Sequence, residues 1–328
     1  MKYGVIGTGY WGSNHARVAA EVVEGGDLDS IVLCDIDEQR VQDLASSYGV
    51  EYTTDYQQLD SLGVDAVTIA TPSPTHHEIA TTLLRDGIDC LVEKPLALDS
   101  DDAWDIVETA NAEERVLGVG HIFRYHPAVS DLKNRIERGE FGEIKYLNTS
   151  RFSFRVPRAT AGALYSLAVH DVDISNYLLE QSLQSLYCNL DSFIREDVDE
   201  TATVVLDYGD ATSVINESWQ VPVRGKRRDL TVVGSEKAAY IDYLEDTVIE
   251  VYDSRVTSSG DDLRATSEGK QVYETENREP LKIEVSEFVE ACRSGSELRA
   301  PGKVGAETVE LLELSEKSAA EKRVISLN

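Results

Sequence analysis

Apolar and polar positions along the first third of the chain alternate between short apolar runs and longer amphipathic stretches. Tyr3 to Ile6, Ser30 to Cys34, Ala66 to Ala70, Cys90 to Val92 and Val116 to Val119 read as buried strands. The segments beginning near Ser13 and spanning Asp37 to Tyr48, His76 to Asp86 and Ser100 to Glu113 have helix-forming composition. Strands apolar on both faces, alternating with helices, predict a mostly parallel sheet covered by helices. Beyond residues 120–127 the pattern changes. Ala128 to Arg138 predicts a helix, whereas Ile144 to Phe154, Thr201 to Tyr208, Thr212 to Gln220, Leu230 to Val233 and Ala238 to Asp242 predict an antiparallel sheet. A helix is expected over Gly162 to Leu179, a hairpin tip or surface loop over Gly260 to Asn277, and amphipathic helices over Pro280 to Cys292 and Gly302 to Ala320. The fold class is therefore α/β, with one domain over residues 1–120 and a second over residues 121–328.

The first strand runs into Gly7-Thr8-Gly9-Tyr10-Trp11-Gly12, just before a helix, which is the setting a dinucleotide loop requires. Gly7 permits the tight turn, Gly9 lets backbone approach a pyrophosphate, and Gly12 allows close helix packing. Asp35 ends the second strand, where a carboxylate holds ribose hydroxyls and repels a ribose phosphate, favouring NAD over NADP; the alternative is a surface Asp opening a turn. Thr71 and Pro72 follow another strand and are candidate walls of the same crevice. His76 fits a structural helix start as well as an approach to the nicotinamide.

Composition narrows the partners. Lys and Arg number 31 against 60 Asp and Glu, a formal net charge of -29 spread along the whole chain. Such a field disfavours nucleic acid and anionic membranes and suits a solvated surface in high salt, so a halophilic source is expected. The cysteines Cys34, Cys90, Cys188 and Cys292 form no CxxC or zinc spacing, and neither a signal peptide nor an apolar span is visible. The expectation is a cytoplasmic protein without a metal centre.

Candidate chemistry lies at two places. Lys94 of Glu93-Lys94-Pro95 follows a parallel strand and can polarise a substrate oxygen; a solvated lysine before a turn is the plain alternative. His170, with Asp173 one helical turn later, is a candidate acid-base residue, or else a core histidine satisfied by that Asp. Ser166 and His170 share helical spacing but lack a nucleophile-elbow context. Arg151, Arg155 and Arg158 could bind a carboxylate or diphosphate, or balance acidic neighbours, and Arg124 with Tyr125 is a second candidate substrate pair. The run from Arg224 to Arg228 fits folding, assembly or anion contact equally.

Together GTGYWG, ATPSPTHHE, VEKP, GHIFRYHPAV, LAVHDVDI and LTVVGSEKAAYIDY resemble the glucose-fructose oxidoreductase, inositol dehydrogenase and rhizopine catabolism family, Gfo/Idh/MocA, over nearly the whole chain. The resemblance implies an N-terminal Rossmann domain and a C-terminal α/β domain with a mostly antiparallel open sheet. It implies NAD held by Gly7, Thr8, Gly9, Tyr10, Trp11, Gly12, Asp35, Ile36, Thr71, Pro72, His76, Glu93 and Lys94. Catalysis falls to Lys94 and His170 with Asp173 in support, and substrate binding to Arg124, Tyr125, Arg151, Arg155, Arg158 and His170. Two positions depart from the family pattern: Ser166 stands where many members carry an Asp, and Ala168 where a Gly is common. Within the family the motifs look most like nucleotide-sugar dehydrogenases acting at C3 of a UDP-N-acetylglucosamine-type substrate. The alternatives are a free sugar or polyol dehydrogenase of the inositol 2-dehydrogenase kind, and a non-catalytic NAD- or sugar-binding protein. Self-association as a homodimer or homotetramer is also implied.

Overall fold

A computed structural model describes every residue except 158–160, 223–224, 246, 260–261 and 328. In chain order the elements of the first half are β1 Lys2–Ile6, α1 Tyr10–Gly25, β2 Ser30–Cys34, α2 Glu38–Tyr48, β3 Glu51–Thr53, β4 Ala66–Ile69, α3 His76–Arg85, β5 Asp89–Glu93, α4 Ser100–Ala112, β6 Leu117–Gly120, α5 Pro127–Glu137 and β7 Ile144–Ser153. The second half adds α6 Val169–Leu179, β8 Ser185–Asp191, β9 Thr201–Asp207, β10 Thr212–Ser218, β11 Lys226–Gly234, β12 Ala238–Asp242, β13 Val248–Ser259, β14 Asp262–Glu274, α7 Pro280–Ser294, α8 Gly302–Glu321 and β15 Ile325–Ser326.

Two compact units result. The first contains Met1–Tyr125 and Glu279–Glu310, the second His126–Arg278 and Leu311–Asn328. A single cut at residue 120 thus separates the two sheets but not the packing. The apolar stripe of α7, Leu281, Val285, Phe288 and Val289, completes a core with Tyr3, Val5, Ala16, Val18 and Leu33, which is why this late segment folds with the first unit.

In the first unit a parallel sheet has the order β3-β2-β1-β4-β5-β6. Strand order reverses between β1 and β4, so the loops after these two strands open a crevice at their carboxyl ends. The second unit holds a sheet ordered β14-β13-β12-β11-β7-β10-β9-β8-β15. Among the described residues its pairs are antiparallel except β10 with β7. Alternation puts Leu147, Thr149 and Arg151 of β7, Ile215 and Glu217 of β10, and Leu230 and Val232 of β11 in the buried layer, where α6 packs.

Two expectations are corrected here. Most of the stretch taken for a hairpin tip or loop is β14, paired with β13 along its whole length. Its residues are nearly all exposed, so no apolar alternation marked it. The helix expected from Gly162 begins instead as a π-helical turn, Leu164–Ala168, before regular α6. That turn buries Ser166 and changes its phase relative to His170 from that of an ideal helix.

Candidate active site

The glycine loop is built by close approach. Gly7 has φ +85°, and an added Cβ would lie 2.7 Å from the Ala70 carbonyl oxygen at the end of β4. At Gly12 an added Cβ would fall inside the van der Waals surface of the Gly7 carbonyl oxygen. Gly9, by contrast, has nothing within 4 Å of an added Cβ, so its backbone faces open space. α1 starts there with no side-chain cap and no acidic residue in its first turn. By comparison, α2 and α4 are capped by Asp37 and Asp99. The positive end of α1 is thus left for an external anion.

Asp35 closes the other side. Its Oδ2 accepts from the Thr8 backbone N–H at 2.6 Å and from the Thr8 hydroxyl at 2.9 Å, and its Oδ1 accepts from Asp37 N–H at 3.0 Å. Burial alone would raise this carboxyl's pKa, but these donors and nearby Arg40 hold it below the usual range, so it stays ionised. Arg40 bridges Asp35 and Asp37, at 3.4 and 2.9 Å. Beside this pair Ile36 is 94% exposed and offers an apolar platform at the strand end. An open glycine backbone, an uncapped helix start and an ionised acid at the next strand end fit a dinucleotide.

Lys94 is half-buried at the carboxyl end of β5, and its peptide bond to Pro95 is cis. Glu93 fixes it: Oε2 accepts from Lys94 N–H at 3.2 Å, while Oε1 accepts from the Trp11 indole and lies 2.8 Å from His15 Nε2. Burial raises the Glu93 pKa, but His15, Lys94 and Trp11 together bring it below the ordinary value. Glu93 therefore joins the first turns of α1 to the lysine. His76 is buried with Nδ1 3.0 Å from Pro95 O and Nε2 3.0 Å from Thr71 O, tying the loop after β4 to the loop after β5. Burial lowers its pKa despite those carbonyls. The roles of His15 and Trp11 as Glu93 partners had no sequence signal beyond their one-turn spacing on α1.

Arg124 and Tyr125 are buried in the first unit. Arg124 Nη1 donates to Arg299 O at 2.7 Å, and the Arg299 guanidinium lies 4.5 Å from the Tyr125 ring centroid. These contacts hold the returning segment to the unit.

In the second unit, α6 carries His170, half-buried, and Asp173, buried. Asp171, the residue after His170, takes a two-pronged pair from buried Arg151, with Nη2 at 3.0 Å from Oδ1. Arg151 was expected to face substrate, but its guanidinium is buried in this pair and locks β7 to α6. Arg155 is exposed, with its guanidinium 5.3 Å from the Trp219 ring centroid. Arg158 lies outside the described residues. Among the described residues no group of His, Cys, Asp and Glu could hold a metal ion, and no helix is long and apolar enough to cross a membrane.

Residues 1–121 match the model of the oxidoreductase family's NAD-binding Rossmann fold, and residues 133–327 match that of the same family's C-terminal alpha/beta domain. The chain belongs to the Gfo/Idh/MocA oxidoreductase family. As a Gfo/Idh/MocA protein it is an NAD-dependent oxidoreductase, and the glycine loop, the start of α1 and Asp35 all lie within the part matched to the NAD-binding fold. It is similar to a UDP-N-acetylglucosamine 3-dehydrogenase of Acidithiobacillus ferrooxidans, 26% identical over 93% of each chain. It is also similar to an inositol 2-dehydrogenase of Rhizobium meliloti, 25% identical over 100% of this chain and 99% of the relative. The solved levoglucosan dehydrogenase in complex with NADH shares its fold, with a TM-score of 0.88 at 19% identity, covering 100% of this chain and 99% of the other.

Asp35 supports a direct test of cofactor choice in this Gfo/Idh/MocA protein. Asp35→Ser removes the carboxylate expected to accept from the ribose and leaves Arg40 less compensated. The ratio of kcat/KM for NAD to that for NADP is expected to fall about ten- to hundred-fold, the worth of a charge-assisted hydrogen bond. An unchanged ratio in steady-state kinetics would remove Asp35 from the cofactor site.

Proposed function

We propose that this protein oxidises one secondary ring hydroxyl of a sugar or cyclic polyol to a ketone. Bound NAD supplies the hydride acceptor. In this reading, His170 takes the hydroxyl proton, with Asp173 supporting it electrostatically. Lys94 donates to the oxygen as negative charge develops there, and Glu93 and His76 hold the backbone around it. The observation that carries the reading is the near-complete alignment with dehydrogenases named for ring positions of inositol and of N-acetylglucosamine.

A free ring is the better supported substrate, because inositol 2-dehydrogenases recur among the relatives. The nucleotide-sugar reading expected from the motifs stands second, on the alignment with the UDP-N-acetylglucosamine 3-dehydrogenase. NADH formation and product mass, followed with myo-inositol, scyllo-inositol, levoglucosan, glucose and UDP-N-acetylglucosamine, separate the two. At least one ring is expected to yield NADH and a product lighter by two hydrogens. A protein that binds NAD and turns over no ring alcohol would be a sensor or binding protein instead.

A further inference from the structure

The turn that leads into His170 is held from outside its own segment. Leu164–Ala168 is the π-helical turn, and the chain runs from it without a break into α6 at Val169, so His170 is the second residue of that helix. Ala163, just before the turn, has no side-chain acceptor to cap it. Asp199 supplies one from the connection between β8 and β9. Its Oδ2 accepts from Leu164 N–H at 2.8 Å, and its backbone carbonyl accepts from Ala163 N–H at 2.9 Å. Gly162 lies directly against the same carboxylate. A Cβ added there would overlap Asp199 Oδ1, so glycine leaves the room that the clamp needs. Ser166 bonds back to the clamped residues, its N–H donating to Gly162 O at 3.0 Å and its hydroxyl to Ala161 O at 3.4 Å.

Asp199 stands on a rigid support. The next residue, Glu200, is fully buried, and its carboxylate accepts from the backbone N–H groups of Ile194 at 3.1 Å and Arg195 at 3.2 Å, closing the connection on itself. The Glu200 carbonyl accepts from Trp219 N–H at 3.1 Å, just past the end of β10. Burial opposes the charge on Asp199 and raises its pKa, although the Leu164 and Ala163 N–H groups offset part of the effect. What Asp199 contributes is therefore an acceptor at a fixed point rather than a favourable charge.

The register of the turn depends on that acceptor. A π turn holds one residue more than an α turn, and the same residues can close either way. Closing as an α turn would rotate the segment before α6 by about 100° relative to the helix. The turn packs on β9 and β10, at the end of the sheet where Asp199 and Trp219 lie. Pinned at Ala163 and Leu164, it keeps the wider form, and the direction in which His170 leaves α6 is fixed relative to that end.

We infer that Asp199 is a positioning residue for the reaction: by pinning the π-helical turn it sets where the His170 imidazole stands. The inference rests on the reading of His170 as the proton acceptor.

Asp199→Ala, Asp199→Ser and Asp199→Asn test it in the NAD-saturated full chain. Two quantities are read well below each variant's Tm: kcat on a ring alcohol that the wild type oxidises, and the NMR signal of the His170 ring, assigned by its loss in His170→Ala. The Ala variant, and the Ser variant should Ala not fold, are expected to lower kcat about ten-fold or more and to displace the His170 signal, because small misplacements of a reacting group are costly. KM for NAD should change little, since the glycine loop and Asp35 belong to the other unit. Asn keeps the acceptor and drops a charge that burial opposes, so it should restore most of both quantities. A merely structural cap would lower Tm and leave kcat and the His170 signal of the folded variant at their wild-type values. Wild-type kcat or an undisplaced His170 signal in the Ala and Ser variants overturns the inference, and so does a loss that Asn fails to restore. Absence of turnover by the wild type on every ring alcohol would remove the dehydrogenase reading instead, and the His170 signal alone would then decide whether Asp199 sets the ring's place.

Discussion

Gly12→Ala is expected to destabilise the first unit severely, while Gly9→Ala is expected to leave its stability intact and still impair NAD binding. At Gly12 the obstacle to a methyl group is the Gly7 carbonyl oxygen, part of the backbone. Relief requires α1 to move away from β1, which breaks the packing of Ala16, Val18 and Ala19 in the core below. A cost of about 3 kcal/mol is appropriate, at the upper end for overpacking, because no side chain can rotate aside. For units of this size that corresponds to a fall in Tm of roughly 6–12 °C. At Gly9 the added methyl meets nothing in the protein but occupies the space through which a pyrophosphate reaches the helix N–H groups. NAD affinity of Gly9→Ala should fall about ten-fold or more at unchanged Tm. Calorimetry and fluorescence titration read the two quantities separately. If Gly9→Ala bound NAD as well as wild type, the loop would not be the pyrophosphate cradle.

This pair also shows what could be read from residues alone. GTGYWG sits between an apolar strand and a helix, and each glycine does a job that spacing announces. The parallel strands were legible for the same reason: buried on both faces, they stand out as apolar runs. Legibility ends where the partner is remote in sequence. The stripe on α7 declares that one face is covered, but not that Tyr3 and Val5 cover it. Arg151 looked available for substrate because nothing local reveals that Asp171, in a helix 20 residues on, would pair with it. The β13–β14 hairpin was hidden by the opposite cause, since a ribbon exposed on both faces has no periodicity to detect.

Removing either Lys94 or His170 is expected to lower kcat by about 10²- to 10⁴-fold, the usual worth of a positioned acid-base group. Lys94→Ala and His170→Ala should each retain the wild-type Tm to within a few degrees, because both side chains are only half-buried. NAD affinity should change little with His170→Ala, since Gly9, Thr8 and Asp35 belong to the other unit. A double variant should lose little more than the worse single one, as groups serving one proton transfer are not additive. The pH profile supplies the reading that misfolding cannot imitate. A histidine acting as proton acceptor works only when neutral, so kcat/KM of the wild type should fall on the acidic side. That acidic limb should disappear from the residual activity of His170→Ala. A limb that stays in place in His170→Ala would assign it to another group and take His170 out of the proton transfer.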